Sequence, residues 1–105
     1  MFTKDYKKIS VENLEHKNQY LIKYNNASQP TLITYAFQSY ATLIAYYEKN
    51  TKTLYINWSM FDYSKTTLKH LKLFINTYTH FTYNNYKDFR LLLLSKDSHI
   101  ILFNE

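Results

Sequence analysis

Glycine and cysteine are absent from the 105 residues, proline occurs once and arginine once, at Arg90. Each shortage excludes something. Without glycine, the backbone cradles that hold phosphate in P-loops and dinucleotide folds are excluded, because close approach there needs a residue with no Cβ. Turns that need positive φ are expected to fall to Asn or Asp, the next most tolerant residues. Without cysteine there is no disulfide, no thiolate metal site and no cysteine nucleophile. With one Arg among 13 basic residues, the chain nearly lacks the planar fork that reads phosphate and base edges in pairs. No apolar run approaches the ~18 residues of a membrane span, and residues 1–10 lack the apolar centre of a signal peptide. No membrane partner and a cytoplasmic location are therefore expected.

What is present is aromatic and basic. Twelve Tyr and seven Phe are roughly twice the usual density. Lys, Asn, Tyr, Phe and Ile have AT-rich codons, so an AT-rich genome accounts for part of this excess without a functional cause. The net charge of +5 and a pI near 9.3 suit an anionic partner. The length suits one domain over 1–105 with one hydrophobic core.

The stretch Leu54 to Tyr78 organises the chain. Thr53–Trp58 reads as a strand with Leu54, Ile56 and Trp58 on one face and Tyr55 and Asn57 on the other. After an aromatic corner, Ser64, or in competition Asp62, caps a helix through Tyr78. Leu68, Leu71, Phe74, Ile75 and Tyr78 recur at helical spacing and define its buried face. Lys65, Lys69, Lys72 and Asn76 fall on another face.

Before this stretch, Gln19–Tyr24, Thr31–Phe37 and Tyr40–Tyr47 read as strands. They are separated by the Asn25–Pro30 loop and by an interruption at Gln38-Ser39 that reads either as a turn or as a bulge in one long strand. Glu48–Lys52 is a hairpin loop with Asn50 as its positive-φ residue. Residues 1–16 read either as a loosely packed arm or as carrying a short helix over Val11–His16 capped by Ser10. After the stretch, Asn84 or Asn85 caps a second helix, Tyr86–Ser95, with Phe89, Leu92 and Leu93 inward. The rival reading makes Phe89–Leu94 a strand. His99–Phe103 reads as a closing strand. The expected fold is α+β: an antiparallel sheet of four or five strands, one main amphipathic helix on one face and a second, C-terminal helix.

The run Ser39-Tyr40-Ala41-Thr42-Leu43-Ile44-Ala45, then Leu54-Tyr55-Ile56, then Asp62-Tyr63-Ser64-Lys65-Thr66-Thr67-Leu68-Lys69-His70-Leu71 with Phe74-Ile75, resembles a family of small proteins. These are encoded by phages and plasmids of low-GC Gram-positive bacteria. The shared pattern, S-Y-x-T-x-I-A followed by D-Y-S-x-T-T-x-K-H-x-x-x-F, covers residues 39–76. The resemblance implies a mobile-element context, in which short proteins act on host machinery, CRISPR effectors included. It carries no activity or ligand.

Asp62, Ser64 and His70 invite comparison with a catalytic triad. Cap positions explain Asp62 and Ser64 better, and sequence proximity supplies neither convergence nor an oxyanion donor. The four His have no metal-ligand spacing. No catalytic residue, metal or cofactor is expected. The candidate binding residues are Lys65, Lys69 and Lys72 as a basic helical stripe, flanked by Tyr63, Tyr83 and Tyr86 as stacking platforms. Tyr24, Tyr35, Tyr47 and Tyr55 either cap the edge of the core or line an uncovered, adhesive sheet face. The leading expectation is a non-enzymatic inhibitor that occludes a host protein or ribonucleoprotein with an acidic surface, of anti-CRISPR type. The alternatives are a nucleic-acid-binding accessory protein using the lysine stripe and a homo-oligomer held by an aromatic sheet face.

Overall fold

The computed structural model describes residues 6–29 and 31–104. Six strands and two helices follow in the order β1 (Tyr6–Asn13), β2 (Gln19–Asn26), β3 (Ile33–Ser39), β4 (Thr42–Glu48), β5 (Thr53–Asn57), α1 (Lys65–Tyr78), α2 (Tyr86–Leu94) and β6 (Ile100–Phe103). The strands form one sheet in sequence order. The α+β class stands.

The sheet differs from expectation in two ways. It has six strands, because the N-terminal segment is not a loose arm or a helix over Val11–His16. Its residues 6–13 pair antiparallel with β2, from Tyr6 opposite Asn26 to Asn13 opposite Tyr20. Every β1 residue after Tyr6 is exposed, so the strand shows no buried alternation, the signal that identifies a half-buried strand. Residues 1–5 of that expected arm lie outside the described residues. The sheet is also mixed: β5 and β6 are parallel, Leu54 opposite Ile100 and Asn57 opposite Phe103. Two helices intervene between these strands, and a crossover of that length returns the chain in its original direction.

One face of the sheet packs on the helices. Leu71, Phe74 and Ile75 of α1 and Phe89 of α2 join Phe37, Ile44, Leu54 and Ile56 in the main core, all at 0% exposure. Leu68 and Tyr78 pack against it partly buried, as do Leu92 and Leu93, so the helical spacing identified the correct faces. Its second helix, rather than the rival strand, is what forms. A second, smaller cluster, Ile22, Ala36 and Tyr46 with Tyr20, Tyr24, Leu43, Tyr55 and Phe103 around it, is built from strand residues alone. It lies on the opposite face.

Both caps form. Ser64 Oγ accepts the Thr67 N–H at 3.0 Å and Asn85 Oδ1 accepts the Asp88 N–H at 2.8 Å. Ser64 Oγ also donates to Thr67 Oγ1 at 2.9 Å, Thr67 Oγ1 lies 3.1 Å from Ser39 Oγ, and Ser39 Oγ lies 2.9 Å from Tyr63 Oη. The polar residues of the 39–76 pattern thus pin the end of β3 to the start of α1. Ser64→Ala is expected to cost ~1 kcal/mol, a fall in melting temperature of about 4–8 °C, read by thermal denaturation.

Among the described residues positive φ goes mostly to side chains other than Asn. Of Glu15, Asn18, Tyr40, Lys52 and Lys96, only Asn18 fits the expectation, and in the β4–β5 hairpin Lys52 takes the role assigned to Asn50. Hairpin register places the left-handed residue, and with no glycine in the chain side chains of ordinary propensity occupy it. Such a position is least expected for β-branched or bulky residues, and of the five Tyr40 is the bulky one.

Candidate functional site

The expected lysine stripe does not act as a unit. Lys65 and Lys69 are exposed, whereas Lys72 is half-buried and its Nζ donates to Asn84 O at 2.6 Å. Asn76, one turn further on, accepts the Tyr83 N–H on Oδ1 at 3.0 Å and donates from Nδ2 to Tyr83 O at 2.9 Å. Lys72 and Asn76 therefore tie α1 to the segment that leads into α2.

Tyr83 is buried in the main core at 7% exposure, with its ring 4.6 Å from Phe89. Burial pushes its hydroxyl well above the usual phenol range. It cannot serve as a platform for a stacked base, and that expectation is corrected. Tyr63 spends its hydroxyl on Ser39. Tyr86 is 41% exposed. Lys69, Lys72, Tyr83 and Tyr86 do meet along one shallow groove of about 260 Å³, with Asn84 and Asn85. Lys65 and Tyr63 do not line it.

The triad comparison dissolves into local structure. Ser64 caps α1, and the buried His70 places Nδ1 2.7 Å from Thr66 O. Among the described residues no group of three or more His, Asp or Glu converges to hold a metal ion, and no helix is long and apolar enough to cross a membrane.

The strand tyrosines divide. Tyr35 and Tyr47 face the helices: the Tyr35 ring lies 5.3 Å from Tyr78, and Tyr47 Oη lies 2.8 Å from His80 Nδ1. Tyr24 and Tyr55 lie on the other face with Tyr20 and Tyr46. There Tyr46 and Tyr55 stack at 4.2 Å, nearly coplanar in tilt at 5°, and Phe103 lies 5.7 Å from Tyr46. This face covers itself: its tyrosines shield Ile22 and Ala36.

A further site was missed by sequence reasoning. Trp58 was expected to continue the strand on the face of Leu54 and Ile56. The strand instead ends at Asn57, whose side chain is buried. Asn57 Nδ2 donates to Leu43 O at 2.9 Å, while Oδ1 accepts the Ser59 N–H at 3.3 Å and the Ser59 hydroxyl at 3.0 Å. Met60 N and Phe61 N then bond back to Asn57 O. This turn ends the alternation and leaves Trp58 51% exposed.

Trp58 becomes the outer end of an aromatic column. Its ring lies 5.6 Å from Phe61, Phe61 lies 5.7 Å edge-on from Phe89, and Phe89 lies 4.6 Å from Tyr83. Together with Tyr86, Leu93 and Leu94 it lines a pocket of about 300 Å³, with Asp62 and Arg90 at its polar points. Arg90, the only arginine, sits 6.0 Å over the Tyr86 ring, a cation–π arrangement. Leu94 is 70% exposed beside it. The readable signal was the coincidence of the only Trp and the only Arg with an Asn in the last strand position.

The fold and its surface define a small α+β protein with two helices over one face of a mixed sheet and an aromatic pocket between the corner that follows β5 and α2. Residues 2–90 match the profile of a family of unknown function, DUF8033, and the chain belongs to that family. The matched span includes Trp58, Phe61, Asp62, Tyr86 and Arg90. No curated protein and no solved structure matches the chain.

Proposed function

We propose that this protein is a non-enzymatic binding module that acts by occluding a partner protein, and that it docks through the Trp58 pocket. The observation that carries this reading is the composition of that pocket. Trp, Tyr and Arg are the residues enriched at interface hot spots, and an anchored aromatic beside a small concavity is where binding energy concentrates. Trp58 stacks on the rigid Phe61–Phe89 column, so little ordering is lost when a partner covers it.

The lysines are recast as a rim. Lys72 is committed to Asn84, which leaves Lys65 and Lys69 to steer an acidic partner surface and raise its association rate. The partner proposed from the 39–76 resemblance is a host protein in a low-GC Gram-positive cell, with a CRISPR effector as the specific candidate and a mobile element as the source.

Affinity capture from such a host lysate, with and without nuclease, tests the reading. A protein partner retained after nuclease treatment is the expected result. Loss of every captured protein on nuclease treatment, together with binding to free DNA or RNA that weakens by a log–log salt slope of about −1.4 to −1.8 for the two free lysines, would establish nucleic-acid binding instead.

A further inference from the structure

The two edges of the sheet are built differently. β1 carries exposed Lys7, Lys8 and Glu12, and its register is broken between Lys8 and Ser10. Charges and bulges are the devices that block edge-to-edge association. β6 has neither. Its residues are Ile100, Ile101, Leu102 and Phe103, and Ile101 and Leu102 are each 42% exposed.

The direction of its backbone groups follows from two hydrogen bonds. His99 O accepts from Leu54 N at 2.7 Å, and Phe103 O accepts from Trp58 N at 2.7 Å. Successive strand residues turn their amide and carbonyl groups to alternate sides. His99, Ile101 and Phe103 therefore face β5, and Ile100 and Leu102 face away. The Ile100 N–H bonds to Asp97 O at 3.1 Å. The outward groups of the strand are thus the Ile100 carbonyl and both backbone groups of Leu102.

The strand itself carries no charged side chain. A second copy meets this edge without the repulsion that the lysine-rich surfaces impose.

We propose that β6 pairs antiparallel with β6 of a second copy, across a two-fold axis at Leu102, and joins two sheets into one. The interface is self-complementary, as two-fold symmetry requires. Each Leu102 N–H donates to the Leu102 carbonyl of the other copy, and each Asn104 N–H donates to the Ile100 carbonyl opposite. Ile101 then lies across from Phe103 of the second copy, so the tyrosine-rich face continues over the joint. So short an edge buries less than the ~800 Å² per partner of a standard interface, and the association expected is weak, with a dissociation constant of about 1–100 µM.

Sedimentation velocity across that concentration range, with hydrogen exchange at the Leu102 amide, tests the proposal. The expected mass rises from 12.8 kDa to twice that value, and Leu102 exchange slows as concentration rises. Leu102→Lys and Leu102→Pro should each weaken association at least about tenfold. Proline there removes only an outward N–H and spares the β5–β6 ladder. Val11→Lys, on the opposite edge, should leave association unchanged. A single-chain mass throughout the range overturns the proposal. So does a dimer in which Leu102 exchange ignores concentration, or one that both Leu102 variants form as tightly as wild type.

Discussion

Replacing Phe74 with alanine is expected to unfold much of the population at physiological temperature. Phe74 is fully buried, lies 6.0 Å from Phe37 on β3 and 6.0 Å from Tyr78 one turn on, and so joins α1 to the centre of the sheet. Truncating a buried Phe removes its transfer free energy and leaves a cavity, ~3–5 kcal/mol in all. A domain of this size has only ~5–15 kcal/mol to lose. Each kcal/mol is worth about 4–8 °C, so the melting midpoint should fall by roughly 15 °C or more. Leu71→Ala, at the same depth, should cost ~2–5 kcal/mol. A Phe74→Ala protein that melts within a degree or two of wild type would mean that α1 does not pack on the sheet through this face.

The second large effect is on binding. Trp58→Ala should weaken the partner complex by ~2 kcal/mol or more, about thirtyfold, and Tyr86→Ala should follow. Lys65→Ala and Lys69→Ala should each change affinity only a few-fold, mainly through the association rate. Trp58 is half-exposed and covers Phe61 from outside, so its removal should cost the fold ~1 kcal/mol, the usual scale for a partly exposed position. Titration calorimetry with the captured partner, beside a thermal melt of each variant, separates loss of contact from loss of fold. Equal losses in the tryptophan and lysine variants would contradict the assignment.

The helices were legible because their apolar residues keep a 3.6-residue period and their starts carry Ser64 and Asn85, side chains that satisfy orphan amides. The central strands were legible from their β-branched and aromatic runs. β1 was not, since an exposed edge strand stands on backbone pairing with β2, which leaves no trace in hydropathy. The direction of β6 was not legible either, because parallel pairing is decided by how two helices return the chain.

At the candidate site the same distinction holds. Local spacing placed Lys65, Lys69 and Lys72 along one helix. Whether Lys72 is free depends on Asn84, which is distant in sequence. Tyr83 carries a polar tip and an apolar ring, and either end can decide its place; contact with Phe89 and the clamp on its backbone by Asn76 draw it inward. Trp58 went the opposite way because one side chain, Asn57, turns the chain a residue early.

Site-specific photo-crosslinking tests the central claim, docking through the Trp58 pocket, most directly. A photoreactive residue at Leu94, on the exposed rim of the pocket, and another at Lys65, on the lysine face, are compared in nuclease-treated host lysate. A discrete protein adduct from Leu94, lost when Trp58→Ala is added and stronger than any from the rim position Lys65, is the predicted result. An adduct from Lys65 with none from Leu94 would contradict it.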